Sequence, residues 1–273
     1  MDRRIWVLFS LCLIGHFSFA QEITWDLKSD LSIKGADLVS IDNRGMIFYT
    51  QLDGSIYQTS SKGASINHVS VASQAKISHL EAGRTMNIFA FYKDLQRIVL
   101  FDRFLAPVIQ VSLIDLDIGM ASMATLGNNY GLWLFDESDM SLKKYDLRRQ
   151  ALLQHQVLNL VLPNQEWDIM DIKAFQNMVF LRTPDLVFIF DEQGNLLKQL
   201  SIPGKNPLGV LGECIYNIED GKIIEYKWNT GMKTAFNLPS GIKYGNIALQ
   251  SDQIVFYDQQ VFAIYENPFS TNR

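Results

Sequence analysis

The sequence predicts an all-β protein, a six-bladed β-propeller of four-stranded antiparallel blades, on three observations. Short aromatic and β-branched runs alternate with Gly, Asp, Asn and Pro along the chain, which is the pattern of strands joined by tight turns. Six of those runs end in an aromatic residue at a spacing near forty residues, and a period of that length marks propeller blades. The segment before the first full repeat supplies the strand that the last repeat lacks.

Taken in order, residues 1–20 have the zones of a secretory signal. Asp2, Arg3 and Arg4 precede an apolar run from Ile5 to Phe19, and Ser18 and Ala20 occupy the small-residue positions before Gln21. The run is shorter than the ~20 residues of a spanning helix, so export with cleavage after Ala20 is expected, leaving residues 21–273 as one propeller domain. Cleavage removes two arginines and one aspartate and makes a chain of formal charge −5 one unit more negative. An acidic chain whose cations cluster no further than Lys143-Lys144 and Arg148-Arg149 lacks the basic stripe of a nucleic-acid binder. No later segment is long and apolar enough to span a membrane. A secreted or periplasmic location follows, with envelope association open. Only Cys214 remains after cleavage, so no intramolecular disulfide is available and the core must carry the stability.

The repeat is anchored by Tyr57, Phe101, Tyr145, Phe190, Tyr226 and Tyr265, and Asp102, Asp146 and Asp191 follow three of them. Twelve residues beyond the first five stand Val69, Leu113, Val157, Ile202 and Leu238. Each unit therefore has a further strand after its aromatic one. Turn formers such as Ser61-Lys62-Gly63 and Glu192-Gln193-Gly194-Asn195 lie between the two. Upstream, Asp53-Gly54 suits a type I′ hairpin turn, and one more apolar run per unit completes four strands. Twelve residues past Tyr265 lies beyond Arg273, so the last outer strand must come from elsewhere. Residues 22–28 alternate apolar and polar side chains for one strand length. They are expected to pair beside Phe262 to Tyr265 and to close the ring, with Ile23, Trp25 and Leu27 on one face.

These features resemble the six-bladed propellers of the broad group that includes NHL-repeat and TolB-like proteins, over residues 22–266. Aromatic-Asp is a looser signature than a Trp-Asp repeat, because three units carry it and no Gly-His dipeptide precedes them.

For chemistry, the mature chain offers His68, His79 and His155. His68 and His155 fall in outermost strands. His79 begins an inner strand, but no Gly-x-Ser-x-Gly elbow accompanies it, and no His/Cys cluster at zinc spacing exists. Sialidase and quinoprotein repeat motifs are absent. Acidic residues recur where the chain enters inner strands: Asp37, Glu81, Asp115, Asp117, Asp168, Asp171 and Glu213. The resemblance implies a comparison with lactonase-like hydrolases, which hold a catalytic calcium at one channel mouth. On that comparison Asp37, Asp115, Asp117, Asp168 and Asp171 are the candidate calcium ligands, and solvated loop acids are the competing reading. Trp167 and Trp228 fall near loops and are candidates for a binding surface. The leading expectation is thus a non-catalytic protein- or glycan-binding scaffold that needs no cofactor, in a cell-envelope assembly. The alternative is a calcium-dependent hydrolase, and a structural subunit without exchangeable ligand is a third reading.

Overall fold

The computed structural model describes residues 23–70, 75–83, 87–116, 118–162, 168–243 and 245–270. The expected signal segment, Asp117 and Trp167 lie outside the described residues.

Among the described residues the strands form six four-stranded antiparallel sheets. Blade 1 is β2 (Val39–Ile41), β3 (Ile47–Thr50), β4 (Ile56–Thr59) and β5 (Ser65–Val69). Blade 2 is β6 (His79–Glu81), β7 (Ile88–Tyr92), β8 (Arg97–Phe101) and β9 (Pro107–Ser112). Blade 3 is β10 (Ala121–Leu126), β11 (Gly131–Asp136), β12 (Ser141–Asp146) and β13 (Ala151–Val157). Blade 4 is β14 (Asp171–Phe175), β15 (Met178–Arg182), β16 (Leu186–Asp191) and β17 (Leu196–Ser201). Blade 5 is β18 (Gly209–Leu211), β19 (Cys214–Glu219), β20 (Lys222–Lys227) and β21 (Met232–Asn237). Blade 6 is β22 (Asn246–Leu249), β23 (Gln253–Tyr257) and β24 (Val261–Glu266), completed by β1 (Leu27–Ser32).

The first strand of each blade lines the central channel, where β2 meets β22 and β6, and β10 meets β6 and β14. We call the face where these inner strands begin the upper face. Turns between second and third strands, and the connectors between blades, share it. Second strands are mostly apolar because both of their faces are covered by neighbouring blades: β7, β11 and β23 are buried along their whole length. Outermost strands such as β13 are partly exposed throughout. The core is divided into six apolar clusters, each drawn from two adjacent blades. The cluster between blades 6 and 1, with Ile41, Ile47, Val255, Tyr257 and Phe262, is built like the others.

The ring closes through β1, which pairs antiparallel with β24 from Leu27↔Tyr265 to Ser32↔Val261. The pairing extends to Ile33 N–H donating to the Gln260 carbonyl at 2.7 Å. The closing strand thus runs Leu27–Ser32, rather than 22–28. Ile23 and Trp25 instead leave the sheet to fill the interface of blades 5 and 6. The Trp25 ring packs edge-on against Phe256, Tyr265 and Phe269, its indole N–H donates to the Asn237 carbonyl at 2.9 Å, and Leu27 faces outward.

The turns explain the aromatic-Asp signature. Asp102 and Asp191 accept backbone N–H groups from two and four residues ahead, so the carboxylate holds the turn into the outer strand. In blade 1 the same position is Ser60, whose hydroxyl accepts from Lys62 and Ala64. The counterpart of Phe101 is therefore Thr59, two residues past Tyr57. The Asp53-Gly54 turn is a three-residue hairpin, not type I′. Only Gly54 has positive φ, at +83°, and Gly54 N–H returns to the Gln51 carbonyl, a type I turn followed by a left-handed residue.

Candidate functional site at the central channel

Polar side chains from blades 2, 3 and 4 meet inside the channel. His79 and Glu81 are the first and last residues of β6, so their side chains share one face of the strand. Asp171 and Lys173, two residues apart on β14, likewise share a face, and Thr125 comes from β10. His79 Nε2 lies 3.1 Å from Glu81 Oε1, and His79 Nδ1 lies 3.5 Å from Asp171 Oδ1. Thr125 donates to the Glu81 carboxylate at 2.9 Å and accepts from the Ala174 N–H at 3.2 Å. Leu208 N–H donates to Asp171 Oδ2 at 2.7 Å, and Lys173 Nζ reaches the Leu208 carbonyl at 3.4 Å.

Burial pulls the pKa of His79 down, but the hydrogen bond and charge of Glu81, joined by the charge of Asp171, outweigh it and raise the value. Burial raises Asp171, and the charge of His79 only partly offsets it. The arrangement is thus suited to keeping a proton on the imidazole between two carboxylates. It surrounds a cavity of about 60 Å³ that Tyr257 and Ser40 also line. That is room for a few waters, well below the ~300 Å³ of a small-molecule site.

The candidate acids stand in different settings, and the charges of Asp37 and Asp171 both act on Tyr257. Asp171 is buried in the channel. Asp37 stands on the rim and pairs with Lys76 at 3.0 Å. Asp115, in the turn Ile114–Leu116, and Asp168, three residues before β14, are exposed. Glu81 is in the channel, and Glu213 accepts from Asn229 on the opposite, lower face. Among the described residues no three His, Cys, Asp or Glu side chains are grouped to hold a metal ion. Trp228 is half-buried between blades 4 and 5, with its indole nitrogen enclosed. His68 stacks on Tyr57 in the outermost strand of blade 1, and His155 stands 3.0 Å from Asp139 in that of blade 3. Position at the start of an inner strand was the signal that found His79 and Asp171. Nothing local marks Thr125 or Lys173, which matter only once three blades converge.

No protein-family model matches the sequence, and no curated protein matches it. Solved structures do. The chain is similar to a streptogramin B lyase, with a TM-score of 0.57 at 14% identity over 88% of this chain and 87% of that one. It is similar to a catalytically inactive His-to-Ala variant of virginiamycin B lyase from Staphylococcus aureus with quinupristin, with a TM-score of 0.58 at 14% identity over 87% and 88%. It also resembles BamB from Moraxella catarrhalis, with a TM-score of 0.51 at 13% identity over 87% and 86%. The chain has the propeller fold. At this identity the likeness carries the fold alone, and neither lyase chemistry nor a partner comes with it.

Proposed function

We propose that this chain is a non-catalytic propeller, exported from a bacterial cell, that binds a protein partner through its surface as part of a cell-envelope assembly. One observation carries the reading. The polar groups of the channel bond to one another around a cavity of about 60 Å³, whereas large aliphatic side chains such as Ile114, Met120 and Leu160 are exposed outside it. Exposed aliphatic side chains on neighbouring segments support a protein contact. Sugars are gripped by exposed aromatic faces, and among the described residues Trp25, Trp133 and Trp228 are engaged in packing while Phe104 is 60% exposed, which supports protein over glycan. Among the described residues no helix is long and apolar enough to cross a membrane.

Affinity purification of the tagged protein from its native envelope, after chemical crosslinking, tests the proposal. A single partner recovered in stoichiometric amount is the expected result, and recovery of the chain alone would oppose it. The hydrolase alternative makes a separate claim. A calcium site would raise the melting temperature, since a ligand stabilises the state it binds. The melting temperature is expected to stay constant up to millimolar calcium, and a rise at micromolar calcium would restore the enzyme reading.

A further inference from the structure

The turn Glu137–Met140 of blade 3 reaches the upper face between two connectors and is hydrogen-bonded to both. Glu137 N–H donates to the Met120 carbonyl at 2.8 Å, and Leu158 N–H donates to the Met140 carbonyl at 2.9 Å. The connector from blade 2 therefore lies on one flank of this four-residue turn, and the connector to blade 4 lies on the other. Each carries exposed apolar side chains: Ile114 (67% exposed) and Met120 (49%) on the first, Leu160 (81%) and Val161 (41%) on the second. The two connectors that flank the turn thus carry two exposed aliphatic groups each.

The patch is firmly held. Asp136, at the base of the turn, accepts from the N–H groups of Gly119, Met120 and Ser138 and from Lys143 at 2.6 Å. Burial pushes this carboxyl up, but the bonds from Lys143, Ser138 and Met120 outweigh it and hold its pKa far below the ordinary range. At Gly119 the connector sits so close that a Cβ would fall 2.0 Å from Ser138 Oγ. A surface fixed before binding loses little entropy when it is covered.

Its charge is one-sided. The segments that build and border it carry Asp94, Asp115, Glu137, Asp139 and Asp168, with Asp136 buried beneath them, against Lys93, Arg97, Lys143 and, beside Asp139, His155. Lys93 pairs with Glu137, and Lys143 with Asp136 and Asp139, while Asp115 and Asp168 project from the two connectors into solvent. We infer that this patch docks a protein segment bearing both aliphatic and Lys/Arg side chains. The aliphatic groups cover Ile114, Met120, Leu160 and Val161, and the cations meet the acidic border, which steers and orients the segment. The inference rests on the protein-binding reading above and adds the surface and the chemistry of the partner.

The test places a benzoyl-phenylalanine photocrosslinker singly at positions 114 and 160, with controls at position 66 on β5 and position 104 on the lower face. Irradiation in the native host should give one discrete adduct at 114 and 160 and none at the controls. The crosslinked segment should carry aliphatic residues and net positive charge. Combining Asp115→Lys and Asp168→Lys, both at exposed positions, should lower adduct yield about tenfold through like-charge repulsion. A partner that co-purifies but crosslinks only at the controls, or through an acidic or uncharged segment, overturns the inference and leaves the protein-binding reading standing. An adduct with a second copy of this chain overturns it as well. Absence of any partner overturns both.

Discussion

At the residue scale the channel cluster makes the sharpest claims. Asp171 accepts from Leu208 N–H and faces the His79 imidazole, so Asp171→Ala leaves the buried Leu208 N–H without its acceptor and takes from His79 one of its two carboxylates, with Glu81 remaining. Leaving a buried donor unsatisfied costs about 1–3 kcal/mol. Asp115→Ala, at an exposed position, should change stability by less than about 0.5 kcal/mol, and urea denaturation distinguishes the two. The same cluster sets a pH dependence. The folded pKa of His79 lies above its ordinary 6.5, so the group contributes stability that is fully present below that value and is lost as pH rises through the folded pKa. Asp171 is raised too, and it likewise favours the fold on the acidic side. Asp136, Asp139 and Glu219 are lowered, and their contribution is lost as pH falls through the acidic range. The stability of the wild type should therefore be greatest at mildly acidic pH and decline above about 6.5, and His79→Gln should flatten that decline. A variant that declines as steeply as the wild type would remove His79 as its cause.

At the element scale β1 decides whether the ring is closed. Trp25 fills the interface of blades 5 and 6, and Trp25→Ala should cost about 3 kcal/mol, whereas Leu27→Ala, half exposed at 48%, should cost little. Removing residues up to Ser32 would bare the edge of β24, and a bared strand edge invites pairing between molecules. That truncated protein should melt well below the full chain and scatter light on heating, and equal melting temperatures would refute closure by β1. Four-strand blades and closure from the N-terminal side were legible in the sequence, because buried strands read as apolar runs and each turn needs Asp, Ser or Gly at a fixed place. The positions that slipped did so for local reasons. Thr59 stands where the other five blades have Phe or Tyr, so the aromatic pattern selected Tyr57 instead. Residues 22–28 have the alternation of a strand, but Trp25 gains more from the apolar cluster around Phe269 than from the sheet, and pairing begins at Leu27. Alternation reports which residues are buried, not which partner buries them.

At the scale of the whole molecule, six similar apolar interfaces share the load, and the channel at their centre holds a polar junction around a small cavity. His79 and Asp171 were legible as residues at the start of inner strands. That they meet Glu81 and Thr125 is a property of the closed ring, which places three blades around one point, and no local spacing encodes it. The central claim is that the channel stabilises the ring while the outer surface binds. It is tested most directly by the double variant His79→Gln/Glu81→Gln, purified from its native envelope beside the wild type. Both proteins should recover the same partner in the same amount, with only the melting temperature changed in the variant. A variant that remains folded, with strand content equal to the wild type by circular dichroism, yet loses the partner would place function in the channel and contradict the account.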